Sequence, residues 1–130
     1  MKFLCVENSA TQRHMIDLML AATGIDIDFA ATGAEALEAF QTTEYDMVLT
    51  DVDLPDMPGL QVAHEIRQTE DGFHLGYTPI LFLGRLDDGA EPGDGCLPKP
   101  FTADGLKAAV DRILYVARGS GLEGTLRAAR

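Results

Sequence analysis

The chain begins with a short, almost continuous apolar run, Lys2–Val6, the pattern of a strand buried on both faces. From Ser9 to Ala22 the residues Met15, Ile16, Leu18, Met19 and Leu20 recur at helical spacing, and Gly24 follows as a stop. Met15 and Met19 are expected on the inner face of that helix. Ile25, Ile27 and Phe29 then alternate with Asp26 and Asp28, the period of a strand with one wet face. Thr32 followed by Glu35 is a capping box, and it opens a helix over Gly33–Gln41 with Ala36, Leu37 and Phe40 as its inner stripe. Met47–Thr50 reads as a third strand ending at Asp51, and the turn-rich Leu54-Pro55-Asp56-Met57-Pro58-Gly59 leads into a helix near Leu60–Gln68. Ile80–Leu83 is a fourth strand and Cys96–Leu97 the core of a short fifth. Thr102 caps a last helix, Ala103–Ala117, which turns Leu106, Val110, Ile113 and Leu114 inward.

Strands alternating with helices across short loops predict an α/β fold, a single doubly wound parallel sheet of five strands covered on both faces. One link breaks the alternation. The stretch Arg85–Asp94 holds two glycines, a proline and only two apolar residues, so it lacks the stripe of an amphipathic helix and reads as a loop. A missing helix there would leave apolar surface on the fourth and fifth strands, a candidate interface.

Composition narrows the class. With 130 residues, 46% hydrophobic and 24% charged, the chain makes one globular domain, 1–118, followed by a tail or linker, 119–130, that opens Gly-Ser-Gly. The 21 acids against 10 bases give a net charge of -11, which excludes a basic stripe for nucleic acid and disfavours an anionic membrane surface. No stretch is long enough to span a bilayer, and Cys5 and Cys96 lack metal-ligand spacing, so a reduced, cytoplasmic protein is expected. His14, His64 and His74 are scattered and read as surface residues. The acids Asp87, Asp88, Glu91 and Asp94 read as a solvated loop.

Open parallel sheets gather their chemistry at the carboxyl ends of the strands. Those ends carry Glu7-Asn8, Asp51, Gly84 and, between two prolines, Lys99. Two acids and an ammonium converging on one crevice suit a divalent cation and a phosphoryl group.

At these residues the chain resembles the response-regulator receiver domains, the CheY-like family. The carriers are Val6-Glu7-Asn8, Tyr45-Asp46-Met47-Val48-Leu49-Thr50-Asp51 before a Pro-x-x-Pro-Gly turn, and Leu97-Pro98-Lys99-Pro100-Phe101, and the likeness runs from Lys2 to Ala117. The resemblance implies a flavodoxin-like strand order of 2-1-3-4-5 and transfer of a phosphoryl group from a histidine kinase or phosphotransfer protein to Asp51. It implies Mg2+ held by Glu7, Asn8, Asp51 and the Asp53 backbone carbonyl, with Lys99 on a phosphoryl oxygen before a cis Pro100. No enzyme activity is expected beyond Mg-dependent self-phosphorylation and slow autodephosphorylation.

Three family positions are altered. Asn8 stands where the family has an aspartate, which implies weakly bound magnesium. Asp53 and Asp56 are loop acids that face water unless they compensate. Gly84 replaces a hydroxyl residue, and Cys96, read as a small core residue, replaces an aromatic one. The reading preferred here is a phosphorylatable receiver that relays its signal through protein–protein contact, because Asp51 and Lys99 are both retained. The alternative is a pseudo-receiver, an interaction domain independent of phosphorylation. Asp51-Val52-Asp53 also matches the nucleophile motif of haloacid-dehalogenase-type phosphatases, but that motif follows a first strand. A flavodoxin-like cofactor site would need a glycine-rich loop where Asn8-Ser9-Ala10-Thr11 stands. A homodimer or effector contact is expected on the fourth strand, fifth strand and last helix.

Overall fold

The computed structural model describes residues 1–73, 75–86 and 93–119. His74, residues 87–92 and residues 120–130 lie outside them, and with them most of the acidic loop and the tail. In chain order the elements are β1 (Lys2–Val6), α1 (Ala10–Leu20), β2 (Asp26–Ala30), α2 (Gly33–Thr42), β3 (Met47–Asp51), α3 (Gly59–Gly72), β4 (Ile80–Leu83), β5 (Gly95–Leu97) and α4 (Ala103–Arg118). The sheet is parallel throughout, in the order β2-β1-β3-β4-β5. The described residues form no helix between β4 and β5.

Alternation along each strand sorts the core into two layers. Phe3, Cys5, Met47, Leu49, Leu81 and Leu83 face α1 and α4, meeting Ile16, Leu20, Leu106, Val110 and Leu114. Leu4, Val6, Val48, Ile80 and Phe82 face α2 and α3, meeting Ala36, Phe40, Val62, Ala63 and Ile66. Each strand buried on both faces shows the unbroken apolar run of its sequence. The edge strand β2 shows the expected half-wet alternation, with Ile25, Ile27 and Phe29 against the first layer.

The caps follow the sequence. Ser9, Thr32 and Thr102 accept from the N–H groups of Gln12, Glu35 and Gly105, so each supplies one orphan donor of its helix with a partner. The Glu35 carboxylate reaches back to the Ala31 N–H at 2.9 Å, one residue before the cap.

Several local expectations are corrected. Met15 is 44% exposed and Leu18 59%, because Ile16 and Leu20, four apart, carry the buried line of α1. The helix predicted near Leu60–Gln68 runs on to Gly72. Its continuation carries Glu70, an acid that is buried and fully engaged by Arg67 and the Thr78 N–H. β4 is not left bare, since all four of its side chains are fully buried. The backbone at Gly93 lies so close over Phe82 that a Cβ there would sit 2.5 Å from the ring, and Leu86 packs on the same layer. Cys96 is exposed rather than in the core.

Candidate functional site

β1 and β3 are neighbours whose connections leave in opposite directions, so a crevice opens beyond their carboxyl ends. Glu7 is the first residue past β1, where its N–H still donates to the Ala30 carbonyl of β2 at 2.9 Å. Its side chain is 2% exposed. One carboxylate oxygen accepts the Ser9 N–H at 3.1 Å and the other accepts from Lys99 Nζ at 2.7 Å. The Arg13 guanidinium, one turn into α1, donates to the carbonyls of Glu7 and Asn8 at 2.8 and 2.9 Å and pins the loop from the outside.

Asp51 ends β3. Its Oδ1 accepts the Val52 N–H at 2.9 Å, and its Oδ2 lies 3.2 Å from Lys99 Nζ. Lys99 comes from beyond β5, three strands away from β1, and its single ammonium bridges both acids. The Lys99–Pro100 peptide is cis. Burial, and then the charge of Glu7, push the Asp51 carboxyl above its ordinary value, while Lys99 pulls it back only in part. Burial alone would depress the Lys99 ammonium, but the hydrogen bond and charge of Glu7, reinforced by Asp51, outweigh it and raise it. Below the cluster, burial pushes the Cys5 thiol far above its usual range, so it is inert.

The cluster therefore holds two carboxylates against one ammonium, a surplus of negative charge in a partly desolvated crevice. Among the described residues no three His, Cys, Asp or Glu side chains are grouped to hold a metal ion. The donors present are oxygens, from Glu7, Asp51, the Asn8 amide and the backbone of the next loop, and such hard donors fit Mg2+. Asn8 in this conformation turns its amide N–H toward the Ala31 carbonyl, at 3.3 Å.

The loop after β3 is built around close backbone approach. A Cβ on Gly59 would collide with the Asp51 carbonyl oxygen, and the Gly59 N–H donates to the Val52 carbonyl at 2.7 Å. Asp53 pairs with Pro58 across the loop. Asp56 does more than face water. Its two oxygens accept the N–H groups of Ala34 and Gly33 at 2.9 Å each, at the start of α2, and these bonds hold its carboxyl below the usual range. Met57 packs so tightly on Gly33 that a Cβ there would force the Met57 side chain to move. Asp56 and Arg13 are the working residues of this site that sequence reasoning missed. A lone acid or arginine in a loop or helix carries no pattern that names its partner.

Gly84 follows β4 directly at φ +130, a conformation that side chains rarely adopt, with its N–H on the Leu97 carbonyl at 2.9 Å. His14 and His64 are exposed, as expected.

An open parallel sheet of this order, with a buried acid, a strand-end aspartate and a shared lysine at its switch point, defines a CheY-like receiver fold. The chain belongs to the response regulator receiver domain family, whose model matches residues 3–111. It is a receiver domain of two-component signalling, of the kind found in both response regulators and sensor kinases. It is 37% identical over 120 residues to the transcriptional regulatory protein DltR of Streptococcus agalactiae, covering 85% of this chain and 50% of that protein. It is 32% identical over 115 residues to the sensor histidine kinase AtsR of Burkholderia thailandensis, covering 85% of this chain and 19% of that protein. The chain thus spans half or less of these relatives. Among solved structures it is similar to the response regulator TrrA of Thermotoga maritima in complex with Mg2+-BeF, with a TM-score of 0.75 and 30% identity. That match covers 86% of this chain and 97% of TrrA. No helix among the described residues is long and apolar enough to cross a membrane.

Proposed function

We propose that Asp51 is the phosphoacceptor of this receiver and that Lys99 is the cation that meets the incoming phosphoryl group. The observation that carries this reading is the single Lys99 ammonium shared between Glu7 and Asp51 at the switch point. An Asp51 oxygen attacks phosphorus in line, an oxygen–phosphorus bond forms, and the phosphorus–nitrogen bond to a phosphohistidine breaks. The imidazole leaves with the bonding pair and takes a proton from solvent. Water later cleaves the acyl phosphate to inorganic phosphate and restores the carboxylate. Lys99 follows a phosphoryl oxygen, and Glu7, which keeps its second oxygen on the Ser9 N–H, stays fixed while the ammonium moves.

Glu7, Asn8, Asp51 and the Asp53 carbonyl would hold Mg2+, which supplies charge neutralisation between the carboxylate and the phosphoryl oxygens. The complex of the similar regulator TrrA with Mg2+-BeF supports magnesium as the ion. Asn8 brings no charge, so the metal is held weakly. The donor is a histidine kinase or phosphotransfer protein, the setting is the cytoplasm, and the chain's own chemistry is limited to self-phosphorylation and slow autodephosphorylation. Residues 1–118 form the receiver and 119–130 a tail or linker. An effector or a second copy would meet it on β5 and α4, where Cys96, Tyr115 and Val116 are exposed. Incubation with acetyl phosphate and Mg2+ should add one phosphoryl mass to the wild type and none to Asp51→Asn. Labelling that persists in the variant would move the acceptor elsewhere, and an unlabelled wild type would favour the pseudo-receiver.

A further inference from the structure

β5 is an edge strand of three residues, and the described residues put no helix ahead of it. A strand that short has few ladder bonds, and a slip of one residue turns every side chain to the other face. Something besides the ladder must define where β5 starts. Asp94, directly before the strand, clasps Ile80 twice. Its N–H donates to the Ile80 carbonyl and its Oδ2 accepts the Ile80 N–H, both at 2.8 Å. Its Oδ1 accepts the Tyr77 hydroxyl at 2.8 Å, and Oδ2 lies 3.5 Å from Arg67 Nη2.

Arg67 extends the clasp into α3. Its guanidinium lies over the Tyr77 ring, 3.9 Å from the centroid, and Nη1 donates to Glu70 and to the Thr78 carbonyl at 2.7 and 2.9 Å. Glu70, 5% exposed, closes the circuit by accepting the Thr78 N–H at 2.6 Å. One carboxylate thus ties the end of α3, the approach to β4 and the entry of β5 together. At the far end of β5 the counterpart is the single bond from Gly84 N–H to the Leu97 carbonyl.

We propose that Asp94 is a positioning residue: it fixes the register of β5 on β4 and thereby sets the reach of Lys99 to Glu7 and Asp51. One residue of slip moves a strand by about 3.3 Å. Lys99 holds its two acids at 2.7 and 3.2 Å, so a slip of that size parts it from both. Where the described residues pack no crossover helix ahead of β5, the clasp locates the last strand. Its consequence for phosphorylation rests on the reading of Asp51 and Lys99 given above.

The test compares Asp94→Ala, Asp94→Asn and Tyr77→Phe with the wild type. Each is followed by amide exchange over Gly95–Leu97, by the Lys99 ammonium resonance, and by acetyl-phosphate labelling per folded molecule. In Asp94→Ala, protection of β5 should fall about tenfold, the effect of losing one or two net hydrogen bonds. The Lys99 resonance should shift toward that of a free lysine, and labelling should slow by a similar factor. Asp94→Asn keeps an oxygen for the Ile80 N–H and should restore most of each, while Tyr77→Phe should change none by more than about twofold. If Asp94→Ala only unfolds, a wild-type Lys99 resonance in a folded Asp94→Asn together with a shifted one in Asp94→Ser, whose shorter side chain cannot make both the Ile80 and Tyr77 bonds, supports the proposal. Lower stability with an unmoved Lys99 resonance and unchanged labelling overturns it. If the wild type itself is not labelled, the phosphotransfer reading fails, and the exchange and resonance measurements still decide the role of Asp94.

Discussion

Replacing Gly84 tests how the end of β4 is built. With φ at +130, any side chain here meets backbone strain, which costs about 1–3 kcal/mol when a non-glycine residue is forced into such a region. A Cβ would also stand 3.1 Å from Val52 Cγ2, a contact that a few tenths of an ångström of side-chain movement relieves. The backbone term should therefore dominate. Gly84→Ala should lose about 2 kcal/mol, and Gly84→Thr at least as much, since branching at Cβ makes positive φ harder still. With a urea slope of about 2 kcal/mol/M for a small domain, the midpoint should fall by about 1 M. The cycle with Val52→Ala separates the two causes, and a coupling below about 0.5 kcal/mol is expected. Two results would refute the reasoning: an unchanged midpoint in Gly84→Ala, or a cycle in which Val52→Ala recovers the whole loss. The first means the chain has another conformation ready at this position. The second means the constraint is steric and a hydroxyl could be restored by making room for it.

Two further substitutions probe the charge balance. Asp51→Asn should be more stable than the wild type near neutral pH, because the carboxyl sits in a site that raises its pKa, and ionising it works against folding. The gain should vanish below about pH 4, where the carboxyl is protonated in both folded and unfolded chains; urea titrations at the two pH values check the sign, and a less stable variant at neutral pH contradicts it. Asn8→Asp cannot donate to the Ala31 carbonyl and adds a hard anionic donor beside Glu7. Calorimetric titration should show Mg2+ binding tightened about tenfold or more, and equal or weaker binding would mean that Asn8 does not limit the site.

What could be read from the sequence was what depends on local period and on strand ends. The double-faced burial of β1, β3 and β4 leaves unbroken apolar runs, and the wet edge of β2 leaves an alternation, so strand positions fell within a residue or so of those observed. Glu7 and Asp51 were legible because an ionisable residue at the end of a buried strand is conspicuous, and Lys99 because it stands between two prolines just beyond the short last strand. That the described residues form no helix before β5 was legible in the glycines, proline and charges of that stretch. What failed were inferences from type to burial. Cys96 looked like core, yet its place on an edge strand exposes it, and Met15 looked inward by a helical count one position off the true line through Ile16 and Leu20. The uncovered β4 was wrong because cover came from a backbone pass at Gly93 and from Leu86, which no amphipathic stripe announces. Asp94 belonged, by composition, to a solvated acidic loop. Its side-chain partners Arg67 and Tyr77 lie on two other segments, and nothing short of the folded chain brings them together.

The two cysteines of this chain are chemically unequal in a way that is useful at the bench. Cys5 is sealed beneath the acid cluster with its thiol held protonated, whereas Cys96 stands open on β5, three residues from Lys99. A maleimide or nitroxide reagent should therefore mark one position in the unmutated protein. That position is on the strand whose register governs the lysine, so a single dye or spin label would report on β5 as the domain meets metal, phosphodonor or partner.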